Sequence, residues 1–135
     1  MEFDTKIKVI LREGLEPWQE LNITAFLISG IAGTQNIVGK PYVDADGITY
    51  LPMSQQPIMI LSAGIEKMSE IMQKATEKGM AVSIYTKELF HTYNDEDNRA
   101  EICKHRTSDL DLVGIAIRGA KNPLDRITKG VEMHR

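Results

Sequence analysis

The chain predicts a three-layer α/β/α sandwich around a mostly parallel mixed sheet of about four core strands, with one inserted β-hairpin. Four apolar runs, Ile7–Leu11, Pro57–Leu61, Met80–Tyr85 and Leu112–Arg118, have the length and composition of strands. Segments of helical spacing separate them, and that alternation implies crossover connections between parallel neighbours. A turn-rich stretch near 39–52 interrupts it once.

Ile7–Leu11 is unalternating and rich in β-branched residues, which suits a central strand covered on both faces. Pro17 pre-sets the first turn of a helix, and Trp18, Leu21, Ala25, Ile28 and Ala32 recur at helical spacing as its expected buried face. That helix ends near Gly30–Gly33. Tyr42-Val43 and Ile48-Thr49-Tyr50 flank Asp44-Ala-Asp-Gly47, a turn composition that predicts a hairpin outside the main sheet. Pro57–Leu61 passes through Ser62 into a second helix, with Ile65, Met68, Met72 and Ala75 on one face and Gly79 as its stop. Asn94–Asn98 caps and opens a third helix towards Cys103. Asn122 and Pro123 begin a fourth, which buries Leu124 and Ile127 and stops at Gly130.

No linker or repeat divides this order, so residues 1–135 read as a single domain. The one cysteine, Cys103, has no partner within the chain, which excludes an internal disulfide framework and points to a reducing, cytoplasmic location. Met1–Thr5 carries two acids and no apolar core, and no run approaches the roughly 20 apolar residues of a membrane span. The expectation is a soluble, unprocessed protein with no membrane partner. A net charge of −3 creates no global field for polyphosphate. Arg118–Arg135, with five basic and two acidic residues, is the one local basic segment and reads as a solvated helix face.

Ligands of open α/β sheets sit beyond the carboxyl ends of the strands. The segments to inspect are therefore Arg12–Pro17, Ser62–Gly64, Thr86–Asn94 and Gly119–Asn122.

Lys8–Leu15 with the helix after it, the Pro57–Tyr85 strand-helix-strand unit, and Leu112-Val-Gly-Ile-Ala-Ile-Arg-Gly119 with Asp125-Arg-Ile-Thr-Lys-Gly130 resemble peptidyl-tRNA hydrolase type II. Glu16-Pro-Trp-Gln-Glu-Leu-Asn-Ile-Thr-Ala-Phe26, Asp44-Ala-Asp-Gly-Ile-Thr-Tyr-Leu-Pro-Met53 and Tyr85-Thr-Lys-Glu-Leu-Phe-His-Thr92 are more closely similar to the bacterial family called domain of unknown function 2000. That second resemblance spans nearly the whole chain. It implies the hydrolase fold, in a family with no established activity. The resemblance also implies a site, because the hydrolases cleave the ester between peptide and tRNA with a lysine on the first helix and an aspartate and threonine after the third strand. Glu88 and Thr92 stand at the spacing of the acid and hydroxyl. Gln19 or Leu21 stands where the lysine signature belongs, and neither stabilises an oxyanion with positive charge. Arg12 offers charge from the neighbouring loop, yet a guanidinium stays protonated and transfers no proton.

His91 adds a titratable ring beside Glu88 and Thr92, and Asn22 is a polar residue in an otherwise apolar helix. Trp18 reads as core, and Cys103 as a buried helix thiol. Gly33–Lys40 has the wrong spacing for a phosphate loop, with Pro41 where a hydroxyl belongs. Asp44-Ala-Asp-Gly47 opens like a calcium loop, but Gln55 replaces the required glutamate. Cys103, His105, His91 and His134 match no metal-binding spacing, so neither metal nor cofactor is expected.

The functional expectation is a pocket for a small or acyl-group ligand at the carboxyl edge of the sheet. Arg12, Asn22 and His91 would bind, and Glu88 and Thr92 would supply any catalysis. Hydrolysis of peptidyl- or N-acyl-aminoacyl-tRNA is the competing enzymatic reading. A third reading is an interaction module in which the edge of the hairpin Tyr42–Pro52 pairs with a second copy to form a homodimer.

Overall fold

The computed structural model describes residues 2–135. Its elements run β1 (Thr5–Arg12), α1 (Pro17–Thr34), β2 (Tyr42–Val43), β3 (Thr49–Tyr50), β4 (Ile58–Ala63), α2 (Ile65–Glu77), β5 (Ala81–Thr86), α3 (Asp95–Cys103), β6 (Leu112–Ala120), α4 (Lys121–Ile127) and β7 (Glu132–Met133). The main sheet has five strands in the order β5-β6-β1-β4-β7, and β2 and β3 pair separately as the expected hairpin.

Strand β1 lies at the centre because its residues pack on both sides. Ile7, Val9 and Leu11 join Ile23, Leu27 and Ile31 of α1, whereas Ile10 joins Met68, Ile71 and Met72 of α2 with Leu124 and Ile127 of α4. Two apolar layers thus enclose one sheet. Burial of each such side chain contributes about 1.5–3 kcal/mol.

The sheet is mixed rather than mostly parallel. Of the paired neighbours only β1 and β4 run parallel, while β6 is antiparallel to both β1 and β5, and β7 is antiparallel to β4. The reason lies in α3, which had been expected to act as a crossover helix. It has nine residues and buries none of them, so at about 13 Å it is too short and too polar to cover a sheet face. The chain instead returns to the edge it left, with Lys87 N–H donating to Asp111 O at 2.9 Å. In consequence the end of β6, with Gly119–Asn122, lies at the rim opposite the ends of β1, β4 and β5. That segment leaves the candidate site. A fifth strand, β7, joins the four expected ones at the edge.

Helix α1 also presents a different face. Ile23, Leu27 and Ile31 are fully buried, whereas Trp18, Leu21 and Ala25 face outward. The helix is apolar around much of its circumference, so spacing alone selects no face. Gly114 on β6 makes the selection: a Cβ there would meet Ile23 Cγ2 at 2.5 Å and Leu27 Cδ1 at 3.1 Å, so only glycine lets this face dock. Cys103 is exposed too, because α3 has no buried side.

Candidate functional site

The carboxyl ends of β1, β4 and β5 share a rim with the start of β6. At the β5 corner, Tyr85 and Thr86 are buried and the chain tightens into a 3-10 turn over Lys87–His91. That turn presses Leu89 and Phe90 onto the α1 layer. The result is a row of rings: Trp18 meets Phe90 edge-on at 5.8 Å, Phe90 lies 5.2 Å from Tyr85, and Tyr85 lies 6.1 Å from Phe26. Such tilted arrangements suit the ring quadrupoles.

These rings wall a pocket of about 410 Å³ between the first half of α1 and the Thr92–Asn98 segment. Its polar groups are mostly neutral. The Tyr85 hydroxyl points to Asn22 Oδ1 at 3.5 Å, and Thr92 Oγ1 sits 3.0 Å from Leu89 O while also contacting Asn98 Oδ1. Burial pushes the Tyr85 phenol above its ordinary value, so near neutral pH it remains a hydrogen-bond donor. The one acid in the lining, Asp95, is paired with Arg99. A groove of about 580 Å³ shares Phe26 and Tyr85 with this pocket and is lined further by Ser83, Ile102 and Cys103. A larger concavity of about 650 Å³, between α2 and Ser108–Asp111, has no aromatic ring in its wall.

The expected site residues divide between two sides of the rim. Asn22 and Thr92 line the aromatic pocket. Arg12 turns instead to Asp111, at 2.7 Å, fastening the end of β1 to the start of β6. Glu88 faces the end of α3, with Oε1 3.5 Å from His105 Nε2 and Oε2 buried without a hydrogen-bond partner. His91 is exposed and is not part of the pocket wall. Among the described residues, no group of three or more His, Cys, Asp or Glu side chains is placed to hold a metal ion.

The family described as "Protein of unknown function (DUF2000)" matches residues 5–135. The chain belongs to that family. Among solved structures, this DUF2000 chain is similar to Atu0240, a protein of unknown function from Agrobacterium tumefaciens strain C58. The two are 41% identical with a TM-score of 0.94, over 99% of this chain and 100% of the other. No curated protein matches the chain. No helix among the described residues is long and apolar enough to cross a membrane.

Two features of this DUF2000 protein escaped sequence reasoning. Trp18, expected in the core, is 60% exposed in the pocket wall, where Phe90 joins it. The available signal is an aromatic in the loop five residues past a predicted strand end. The second is a Ser62, His134 and Glu20 cluster, whose members are too far apart in sequence to form a motif.

Proposed function

We propose that this DUF2000 protein binds a small, uncharged ligand with a flat or acyl body in the aromatic pocket at the carboxyl end of β5. The observation that carries this reading is the aromatic row, open to solvent at Trp18 and Phe26, beside unionised hydrogen-bonding groups, Asn22, Thr92 and the Tyr85 hydroxyl. Pockets of this kind bind through apolar area and orient through a few polar atoms. A mixed sheet with helices on both faces supports reading the fold as peptidyl-tRNA hydrolase type II-like. Cleavage of acylated tRNA draws less support, since the Glu88 carboxylate turns to His105 while the Thr92 hydroxyl turns to Asn98.

Trp18 is the only tryptophan, so its emission reports on the pocket directly. Titration with a neutral aromatic amide, N-acetylphenylalanine amide, is expected to shift that emission saturably, and Asn22→Ala is expected to weaken the effect. Unchanged emission and unchanged backbone amide resonances at millimolar probe would overturn the reading.

A second reading concerns the hairpin, where Tyr42, Val43, Ile48, Tyr50, Leu51 and Met53 are all exposed. An apolar cluster of this kind on a two-stranded ribbon supports pairing with a second copy. Light scattering is expected to give twice the chain mass, reverting to monomer in Leu51→Glu. A monomeric wild type would end this reading.

A further inference from the structure

Ser62, His134 and Glu20 form a hydrogen-bonded string across three elements. Ser62 Oγ lies 2.5 Å from His134 Nδ1, and His134 Nε2 contacts Glu20 Oε2. Ser62 is the penultimate residue of β4, and its side chain emerges on the face covered by α1, where Ile58 and Ile60 pack. Glu20 descends from the first turns of α1, and His134 follows β7, held by its own N–H donating to Ile60 O at 2.9 Å.

That backbone bond, with the β4–β7 pairing, already fastens the chain end. The side-chain string is additional, and its chemistry has a direction. An ionised carboxylate only accepts hydrogen bonds, so the imidazole nitrogen facing Glu20 carries hydrogen. In the neutral ring the other nitrogen, Nδ1, is then a lone-pair acceptor, and the bond to it is donated by the Ser62 hydroxyl. A serine donating to a histidine that is held in one tautomer by a carboxylate is the arrangement that makes a hydroxyl nucleophilic. The ring nitrogens are exchanged relative to the commonest such triad, but either nitrogen of imidazole can act as base. The string is also reachable, because the imidazole side chain is 27% exposed and Ser62 is only partly buried.

We propose that Ser62, His134 and Glu20 constitute a nucleophilic relay acting on small carboxylic esters. Ser62 Oγ forms a bond to the ester carbonyl carbon while its proton moves to His134 Nδ1. The carbon–alkoxide bond breaks, and that proton leaves with the alcohol, giving acyl-Ser62. Water then adds to the acyl carbon, surrendering a proton to Nδ1. Collapse releases the carboxylic acid, and the proton returns to Ser62 Oγ. Glu20 stabilises the imidazolium formed in each half.

This site is separate from the aromatic pocket. Successive residues of a helix are 100° apart, so Glu20 points about 160° away from both Trp18 and Asn22. Strand β4 stands three places from β5 in the sheet, about 14 Å away at ordinary strand spacing. Failure of one proposal therefore leaves the other standing.

The test exposes the full chain to an alkyl fluorophosphonate and reads the intact mass and the labelled peptide. The expected result is one adduct on Ser62, with the Oγ–phosphorus bond formed, fluoride expelled and the serine proton passed through His134. His134→Gln, checked for folding by its melting curve, should label more slowly by on the order of 100-fold, the usual share of a general base. Absence of a Ser62 adduct under conditions that fully label a known serine esterase would overturn the proposal. So would an adduct on another residue alone, or equal labelling rates in folded His134→Gln.

Discussion

Lys8 Nζ and Asp125 Oδ1 meet at 2.9 Å beneath α4, with Lys6 closing on the same carboxylate at 2.8 Å and Thr128 Oγ1 accepting from Lys8 at 2.6 Å. Lys8 is 5% exposed, so its ammonium depends on these partners. Asp125→Asn is expected to destabilise the protein by about 1–2 kcal/mol, because it removes the counter-charge of the buried Lys8 ammonium at a carboxylate that solvent partly screens. Lys8→Met is expected to cost much less, since an apolar side chain requires no partner there. Denaturant midpoints of the two variants check this, and an equal loss in both would contradict it. The ammonium groups of Lys6 and then Lys8 hold the Asp125 carboxyl below its ordinary 3.8. A depressed folded value means that the contribution is fully present above the unfolded value and is lost as pH falls through the folded one. Acid titration should therefore loosen α4 below about pH 4.

The hairpin carries a second acid-sensitive contact. Asp44 accepts from the Tyr50 hydroxyl at 2.8 Å and from the Asp46 and Ile48 amides at 2.9 and 3.0 Å, and these bonds, the phenol first, lower its pKa below 3.8. The hairpin should be ordered at neutral pH and fray as the carboxylate protonates. Tyr50 ring resonances followed down the pH scale are expected to shift with a midpoint below 3.8, and Asp44→Asn should abolish that transition.

Gly114→Ala tests how α1 is seated. The added methyl cannot occupy a site 2.5 Å from Ile23 Cγ2, so the helix must lift, at a cost of about 1–3 kcal/mol. Because Trp18 and Asn22 ride on the same helix, the substitution should weaken binding of the aromatic amide as well as stability. A thermal melt and the fluorescence titration, read together, decide this.

Phe90→Ala removes the ring between Trp18 and Tyr85 without removing the fluorophore. Loss of one aromatic contact should weaken the amide probe by about 1 kcal/mol, roughly fivefold. Wild-type affinity in that variant would detach the aromatic row from binding.

Patterns local in sequence were the ones that could be read beforehand. The unalternating Ile7–Leu11 run did become the central strand, and Asp44-Ala-Asp-Gly47 did turn the hairpin, with Gly47 at φ 83°. Strand direction depended instead on whether α3 could cover a sheet face, a matter of length and polarity that alternation overlooks. The seating of α1 depended on Gly114, some eighty positions beyond the helix it receives. Asn22 and Thr92 do line one pocket wall, whereas Glu88 and Arg12 turn to His105 and Asp111, pairings that lie far apart in sequence. Ser62, His134 and Glu20 meet only after β7 has paired with β4.

The sole thiol, on Cys103, lines the groove that shares Phe26 and Tyr85 with the pocket holding the sole indole, Trp18. Nature has thus provided a two-point ruler: an acceptor dye on the cysteine and the intrinsic donor would report, through energy transfer, every opening or narrowing of the cleft in an otherwise unaltered molecule.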